Sequence, residues 1–158
     1  MQNFTFWNPT KIVFGKGMIA EIGGHAVQHG QKALLVYGKT SIKTNGIYDQ
    51  VVGSLRQAGV GFVEFSDVKS NPILSHVNEG IALAKREQVD MVIAVGGGSV
   101  IDESKAIAAG VKTDGDLWEC FVGKKEPPGA LPVLTVLPVA ATGAEMNFVA
   151  VLKNDTTQ

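Results

Sequence analysis

A run of three glycines between an apolar stretch and a helical pattern constrains this chain more than any other feature. Met91 to Val95 is a continuous apolar run, typical of a strand covered on both faces. Gly96 to Gly98 follow, and the spacing from Ser99 to about Ala109 predicts a helix. A glycine turn that enters a helix directly exposes backbone N–H groups at the positive end of the helix dipole. The turn is therefore a candidate binding site for a phosphate group.

Simpler interpretations of this turn stay open. A tight strand-to-helix connection can need glycine only for positive φ angles. Ser99 and Asp102 have the spacing of a capping box, in which both side chains satisfy N–H groups at the helix end. Lys105 fits an ion-pair partner of Asp102 or a solvated side chain. The sequence matches neither the G-x-G-x-x-G fingerprint nor the phosphate-binding P-loop.

Apolar runs and helical patterns alternate along most of the chain. Further strands are predicted at residues 33–37, 61–65 and 133–139. Helices are predicted at 17–28, 47–58 and 75–88, the last of them capped by Ser75. This alternation favours an α/β fold, with a mainly parallel sheet, right-handed crossovers and flanking helices.

Short apolar segments near both ends of the chain predict an antiparallel β-hairpin element. Residues 4–7 and 11–14 are predicted strands, and residues 148–152 are predicted as one hairpin arm. Because this arm runs into turn residues without a partner strand, we expect the chain to be truncated there. Unpaired edges of this kind favour pairing between chains, so we also expect a homodimer.

Composition narrows the class of protein. Hydrophobic residues make up 45% of the 158 residues and charged residues 18%, with a formal net charge of −1, which predicts a soluble globular protein without a basic surface for nucleic acid. Cys120 is the single cysteine, and the first residues lack the basic and apolar regions of a signal peptide. No apolar stretch is long enough to cross a membrane. We therefore expect a cytoplasmic protein.

Residues 96–110, G-G-G-S-V-I-D-E-S-K-A-I-A-A-G, resemble the signature of the iron-containing (group III) alcohol dehydrogenases. Within that family they are most similar to the butanol dehydrogenase and aldehyde reductase branch. Further matches follow in the family's order at residues 4–17, 71–72, 115–118 and 141–147. The resemblance implies a Rossmann-like dinucleotide-binding domain over residues 1–158, the N-terminal half of a two-domain dehydrogenase whose C-terminal helical domain is absent.

The resemblance also implies where NAD(P) would lie. The pyrophosphate is implied at the glycine turn, on Gly97, Gly98 and Ser99. Asp102 is implied near the nicotinamide, where it can both cap the helix and face the cofactor. Thr142 corresponds to a family threonine near the phosphates, and Asn147 belongs to the same cofactor-lining segment.

The adenosine side is implied at Asn71 and at the end of the strand that reaches Gly38. Relatives that prefer NAD tend to carry an aspartate at the position of Gly38, which accepts a hydrogen bond from the ribose 2′-OH and repels a 2′-phosphate. This chain has Gly38 instead, followed by Lys39, Ser41 and Lys43. The missing carboxylate and the nearby cations favour NADP over NAD. The alternative is that these lysines belong to an ordinary surface turn.

Members of the family bind divalent iron or zinc through an aspartate and three histidines of the C-terminal domain, and this metal polarises the alcohol oxygen. We expect no catalytic residue and no metal ligand in residues 1–158. His25 and His29 have i, i+4 spacing, but no third ligand completes a pattern, so they are interpreted as surface-helix residues. The whole protein is implied to interconvert primary alcohols and aldehydes, while this chain binds cofactor and does not catalyse.

Other functions stay open at this point. A relative of glycerol dehydrogenase or dehydroquinate synthase shares the fold and a similar glycine turn, although Asp116-Leu117-Trp118 and Thr142-Gly143-x-Glu145 favour the alcohol dehydrogenases. A stand-alone nucleotide-binding module and an interaction fragment are alternatives of a different class.

Overall fold

The computed structural model, which describes residues 3–5, 7–39 and 41–156, has a four-stranded sheet at its centre. The strand order is β2-β1-β3-β4, and every neighbouring pair is parallel. The strands are β1 (Lys32–Tyr37), β2 (Gly61–Phe65), β3 (Met91–Val95) and β4 (Val133–Val136). The predicted α/β fold with a parallel sheet is confirmed, although β4 is shorter than the predicted strand.

Helices connect these strands and cover the sheet. They are α1 (Ile22–Ala26), α2 (Ser41–Thr44), α3 (Ile47–Gln57), α4 (Leu74–Glu87), α5 (Gly98–Lys112) and α6 (Trp118–Phe121), with 3-10 turns at Met18–Glu21 and Ala144–Met146. The helix predicted at 17–28 is therefore a 3-10 turn followed by a short α-helix. Gly59 ends the α3 region with a φ of 72°, as its position predicted.

The core has two layers because side chains of a strand point alternately to its two faces. Leu34, Val36, Val92 and Ala94 face one layer together with residues of α4 and α5. Leu35 and Ile93 face the other layer, against α1 and α3. All of these strand side chains are fully buried. The central strands β1 and β3 therefore read as unbroken apolar runs, which is why the sequence identifies them well.

The start of α4 differs from its prediction. Ser75 was expected to cap the helix, but the helix begins at Leu74 with Ile73 in the N-cap position. The backbone N–H of Ser75 donates to Asp155 Oδ1 over 3.1 Å, and Ile73 forms a parallel bridge with Lys153. A carboxylate 80 positions away along the chain thus occupies the positive end of the α4 dipole.

The predicted β-hairpin is wrong. Residues 4, 5 and 7, residues 11–14 and residues 148–152 form no strand, and Phe6 lies outside the described residues. Their apolar side chains are exposed instead, with Phe14 and Phe148 each 96% accessible. A local alternating pattern cannot form a strand unless a neighbouring strand supplies hydrogen bonds, and the described part of the chain supplies none there. In the same described part, no helix is long and apolar enough to span a membrane.

Candidate functional site

The structure places every predicted site residue beyond the carboxyl end of a strand. Because the strands are parallel, their carboxyl ends lie at one edge of the sheet, which we call the carboxyl edge. The residues are Gly38, Lys39 and Ser41 after β1, Asn71 after β2, Gly97, Gly98, Ser99 and Asp102 after β3, and Thr142 and Asn147 after β4.

The strand order creates a crevice in the middle of this edge. The chain leaves β1 toward β2 on one side of the sheet and leaves β3 toward β4 on the other. Tyr37 pairs with Val95, so Gly38 and Gly96 follow neighbouring strand ends. In open α/β sheets, ligands bind where the connections diverge in this way. The glycine turn and the Gly38 segment are thus the two ends of one candidate crevice.

Positive φ explains neither Gly97 nor Gly98, and close packing within the protein explains only Gly98. Gly97 has a φ of −87° and Gly98 is the first residue of α5, so both adopt angles open to other residues. A Cβ on Gly98 would lie 2.6 Å from Thr142 Oγ1, whereas a Cβ on Gly97 would meet no protein atom within 4 Å. The segment after β4 therefore covers the turn at Gly98 and leaves open space beside Gly97.

The capping box predicted for α5 is not formed. Gly97 holds the N-cap position, no described side chain makes a capping hydrogen bond there, and Ser99 lies inside the first turn. Among the described residues, no side-chain capping bond therefore satisfies the first N–H groups of α5. Lys105 also differs from expectation, since its ammonium group donates to residues 144, 147 and 149.

The β1 end of the crevice is built from charged and aromatic groups. Lys39 and Ser41 are exposed beside Gly38. An open cleft of about 300 Å³ lies here, lined by Tyr37, Gly38, Lys39, Lys43, Ser66 and Asp67. Ser66 and Asp67 were not among the predicted site residues. Their position just after β2 is the signal that would have identified them, since every strand end contributes to this edge.

A hydrogen-bonded cluster fixes Lys43 at this cleft. Its ammonium nitrogen lies 3.6 Å from Glu64 Oε2 and 4.9 Å from the centre of the Tyr48 ring. The hydroxyls of Tyr37 and Tyr48 donate to the same carboxylate, and the bond from Tyr48 is 2.6 Å long. The hydrogen bond to Glu64 is the main reason that the pKa of Tyr48 rises to about 12. Lys43 therefore faces a carboxylate of its own chain.

The pKa of Glu64 shows which contacts dominate in the cluster. Burial acts to raise it, but hydrogen bonds from Tyr37 and Tyr48 and the charge of Lys43 outweigh burial, so the pKa lies below its ordinary value. Glu64 is therefore a carboxylate at neutral pH, and it offsets the positive charge of Lys43.

Among the described residues, no group of three or more His, Cys, Asp or Glu side chains could hold a metal ion. His25 lies 3.8 Å from Glu21, and His76 lies 2.5 Å from the buried Glu103. The residues present thus do not fit the metal site that the family resemblance implies for the whole protein.

A larger open groove, of about 470 Å³, lies elsewhere on the molecule. It is lined by residues of α1 and α3, among them Gly24, His25 and Gln57. Because α1 leads into β1 and α3 leads into β2, this groove lies near the amino ends of the strands. It carries neither a glycine turn nor the start of a long helix, so its size does not make it the better candidate.

The fold and the glycine turn define an α/β protein with a parallel sheet and a candidate ligand crevice at the carboxyl edge. Comparison with known proteins identifies the family. Residues 9–158 match the family model described as iron-containing alcohol dehydrogenase, and the chain belongs to this family.

Individual relatives support the same family assignment. The chain is 50% identical over 158 residues to the probable NADH-dependent butanol dehydrogenase 1 of Bacillus subtilis, and 38% identical over 160 residues to the NADPH-dependent aldehyde reductase YqhD of Escherichia coli. The two matches include 100% and 99% of this chain, but only 41% of the length of either relative. The crystal structure of NADH-dependent butanol dehydrogenase A from Thermotoga maritima superposes with a TM-score of 0.96 at 52% identity, over 99% of this chain and 40% of that one. The match is to the N-terminal part of such enzymes.

Proposed function

We propose that residues 1–158 are the dinucleotide-binding part of a metal-dependent alcohol dehydrogenase. NAD(P) lies in the crevice between the ends of β1 and β3, with its pyrophosphate on Gly97, Gly98 and Ser99. The observation that carries this proposal is the uncovered start of α5, where open space lies beside Gly97 and no described side chain caps the helix. The family membership supports the same reading of the turn.

The other predicted residues extend this site in both directions. Thr142 packs on Gly98 and is proposed near the phosphates, while Asn147 and Asp102 lie on the segments that flank it. Gly38, Lys39, Ser41 and Asn71 are proposed on the adenosine side, because they follow the central strand β1 and the edge strand β2 next to it. NADP is the proposed preference, since residues 38–43 offer no carboxylate and Lys39 is exposed, while Asp67 is an acidic group in the lining of the same cleft.

The whole protein is proposed to interconvert primary alcohols and aldehydes. In such an enzyme a divalent metal polarises the substrate oxygen while hydride passes to or from the nicotinamide. This chain supplies the cofactor site alone, so we expect it to bind dinucleotide and to show no turnover. A homodimer is proposed from the exposed Phe4, Trp7 and Phe148, and a monomer mass that stays constant with concentration in light scattering would contradict it.

Calorimetric titration of the chain with NADPH and with NADH, without added metal, tests the cofactor proposal. We expect saturable binding with one site per chain, tighter for NADPH. The absence of saturable heat with both dinucleotides would overturn the assignment of this crevice. Equal or tighter binding of NADH would overturn only the proposed preference.

A further inference from the structure

Lys105 makes an unusual set of contacts for a lysine on a helix. It lies on α5, and its ammonium group reaches the irregular segment after β4. It donates to the carbonyl oxygen of Ala144 over 2.5 Å, to that of Val149 over 2.8 Å and to Asn147 Oδ1 over 3.1 Å. An ammonium group has three N–H donors, so all three have an acceptor in one segment.

The segment that receives these bonds, residues 142–149, has little regular structure of its own. It contains the short 3-10 turn Ala144–Met146, in which Met146 N–H donates to the Gly143 carbonyl over 3.0 Å. Asn147 also closes it internally, donating to the Gly143 carbonyl and accepting from the Val149 N–H. The 142–149 segment is not part of the sheet, so its position over α5 depends on side-chain contacts.

One end of this segment forms part of the crevice. Thr142 Oγ1 lies 2.6 Å from the position that a Cβ on Gly98 would take, so Thr142 packs directly on Gly98. Ala144, two residues on, accepts the shortest of the Lys105 bonds and is itself buried. The position of Thr142 over the glycine turn is therefore connected to Lys105 through two residues of backbone.

The acceptors of Lys105 are neutral oxygens rather than carboxylates. The carboxylates that act on its ammonium group, those of Asp102 and Glu145, do so through their charge and accept none of its hydrogen bonds. Burial lowers its pKa, and the charges of Asp102 and Glu145 only partly oppose this effect. A partly buried ammonium group whose three donors bind neutral carbonyl oxygens holds a segment in place more than it balances a charge.

We propose that Lys105 is a positioning residue for the dinucleotide site, because it holds the 142–149 segment against the glycine turn before the cofactor binds. This inference rests on the proposed function of the crevice. A site that is already assembled binds more tightly than one that must order itself, because the apparent affinity scales with the population of the competent state.

The matched variants are Lys105→Met and Lys112→Met, which remove one ammonium each from the same helix. Lys112 is exposed at the last turn of α5, away from the 142–149 segment. We expect Lys105→Met to weaken dinucleotide binding about tenfold, as for the loss of charge-assisted hydrogen bonds, and Lys112→Met to leave it unchanged. Equal affinity of both variants and the unchanged chain would overturn the inference.

A pH profile of the dissociation constant separates positioning from a merely structural effect. Lys105 titrates below the ordinary lysine value of 10.5, and its neutral amine has only two donors for three acceptors. Binding by the unchanged chain should weaken as the pH rises through that lowered pKa, and Lys105→Met should lack this step. The same profile in both proteins would contradict the role of Lys105.

Hydrogen exchange without dinucleotide distinguishes failure of this inference from failure of the proposed function. We expect the Met146 and Val149 amides to exchange faster in Lys105→Met than in Lys112→Met, while β1 and β3 keep their protection. Unchanged exchange in the 142–149 segment would overturn the inference whatever the titrations give. Faster exchange in that segment, with no dinucleotide binding by the unchanged chain, would uphold the contact and overturn the proposed function.

Discussion

The two ends of the crevice are built by different physical means. At the glycine-turn end, steric packing determines the structure of the site. Thr142 occupies the space that a Cβ on Gly98 would need, and the space beside Gly97 is open. At the β1 end, charged groups determine the character of the site. Lys39 is exposed, and Lys43 lies against Glu64 and two tyrosine rings. The first end is set by steric exclusion between neighbours, whereas the second is a balance of charges near solvent.

This difference predicts how each end responds to substitution. In a packed region the free-energy cost of a steric clash rises steeply, because a single added carbon forces neighbouring atoms to move. Charge interactions near solvent are screened and are worth little individually. We therefore expect changes at the glycine turn to alter whether a dinucleotide binds, and changes at the β1 end to alter which dinucleotide binds better.

Gly98→Val should have the largest effect. Its side chain would collide with Thr142, at a cost of roughly 1–3 kcal/mol, which corresponds to about 5- to 150-fold weaker binding of both NADH and NADPH. Gly53→Val is the matched control, because Gly53 is also helical and a Cβ there meets nothing within 4 Å. If the two variants bind dinucleotide equally well in calorimetry, the steric account of this end is wrong.

Gly97→Ala separates ligand contact from protein packing. A Cβ at residue 97 meets no protein atom within 4 Å, and the backbone angles suit alanine, so the free energy of unfolding should be unchanged or slightly raised. Binding should still weaken about fivefold, as expected when one phosphate hydrogen bond is hindered. Thermal melting and calorimetry on one sample measure both quantities. Unchanged affinity would show that no ligand approaches this residue.

Glu64→Gln should have the smallest effect, and it should act on selectivity alone. Removing the carboxylate leaves the charge of Lys43 unopposed beside the cleft, so binding of NADPH relative to NADH should improve about two- to threefold. Glu126→Gln, at an exposed loop position, is the control. An equal change in the affinity for both dinucleotides would contradict the division of roles between the two ends.

The same variant has a pH signature in stability. The folded-state pKa of Glu64 lies below its ordinary value of 4.5, so its contribution is complete above that value and is lost as the pH falls through the folded-state pKa. Denaturant unfolding should show Glu64→Gln to be less stable than the unchanged chain at neutral pH. The two curves should converge in acid, and a difference that persists there would assign the effect to another cause.

The features that the sequence predicts best are those that depend on residues close together along the chain. The apolar runs of β1 and β3 are buried on both faces, so pattern alone locates them, and the glycine turn follows β3 directly. The strands predicted near the chain ends are wrong, because an apolar pattern does not show whether a partner strand is available. Phe148 is such a case, with its side chain 96% accessible.

Contacts between distant residues were not predictable from the sequence. For Lys105 the sequence predicts an ion pair with Asp102 or a solvated side chain, since a helix pattern contains only neighbours three or four positions away. Its actual acceptors lie 39 to 44 positions further along the chain. Ser75 likewise fits an N-cap in sequence, yet Asp155 accepts its N–H from 80 positions away. Both errors concern how segments after β4 fold back onto earlier helices.

Amide chemical shifts followed during titration with NADPH test the central claim most directly, since they locate a ligand residue by residue. We predict that the largest changes lie at the amides of Gly97, Gly98 and Ser99, with further changes at Gly38 and Thr142. Changes confined to the groove between α1 and α3, at Gly24 and Gln57, would contradict the assignment of the carboxyl edge as the dinucleotide site.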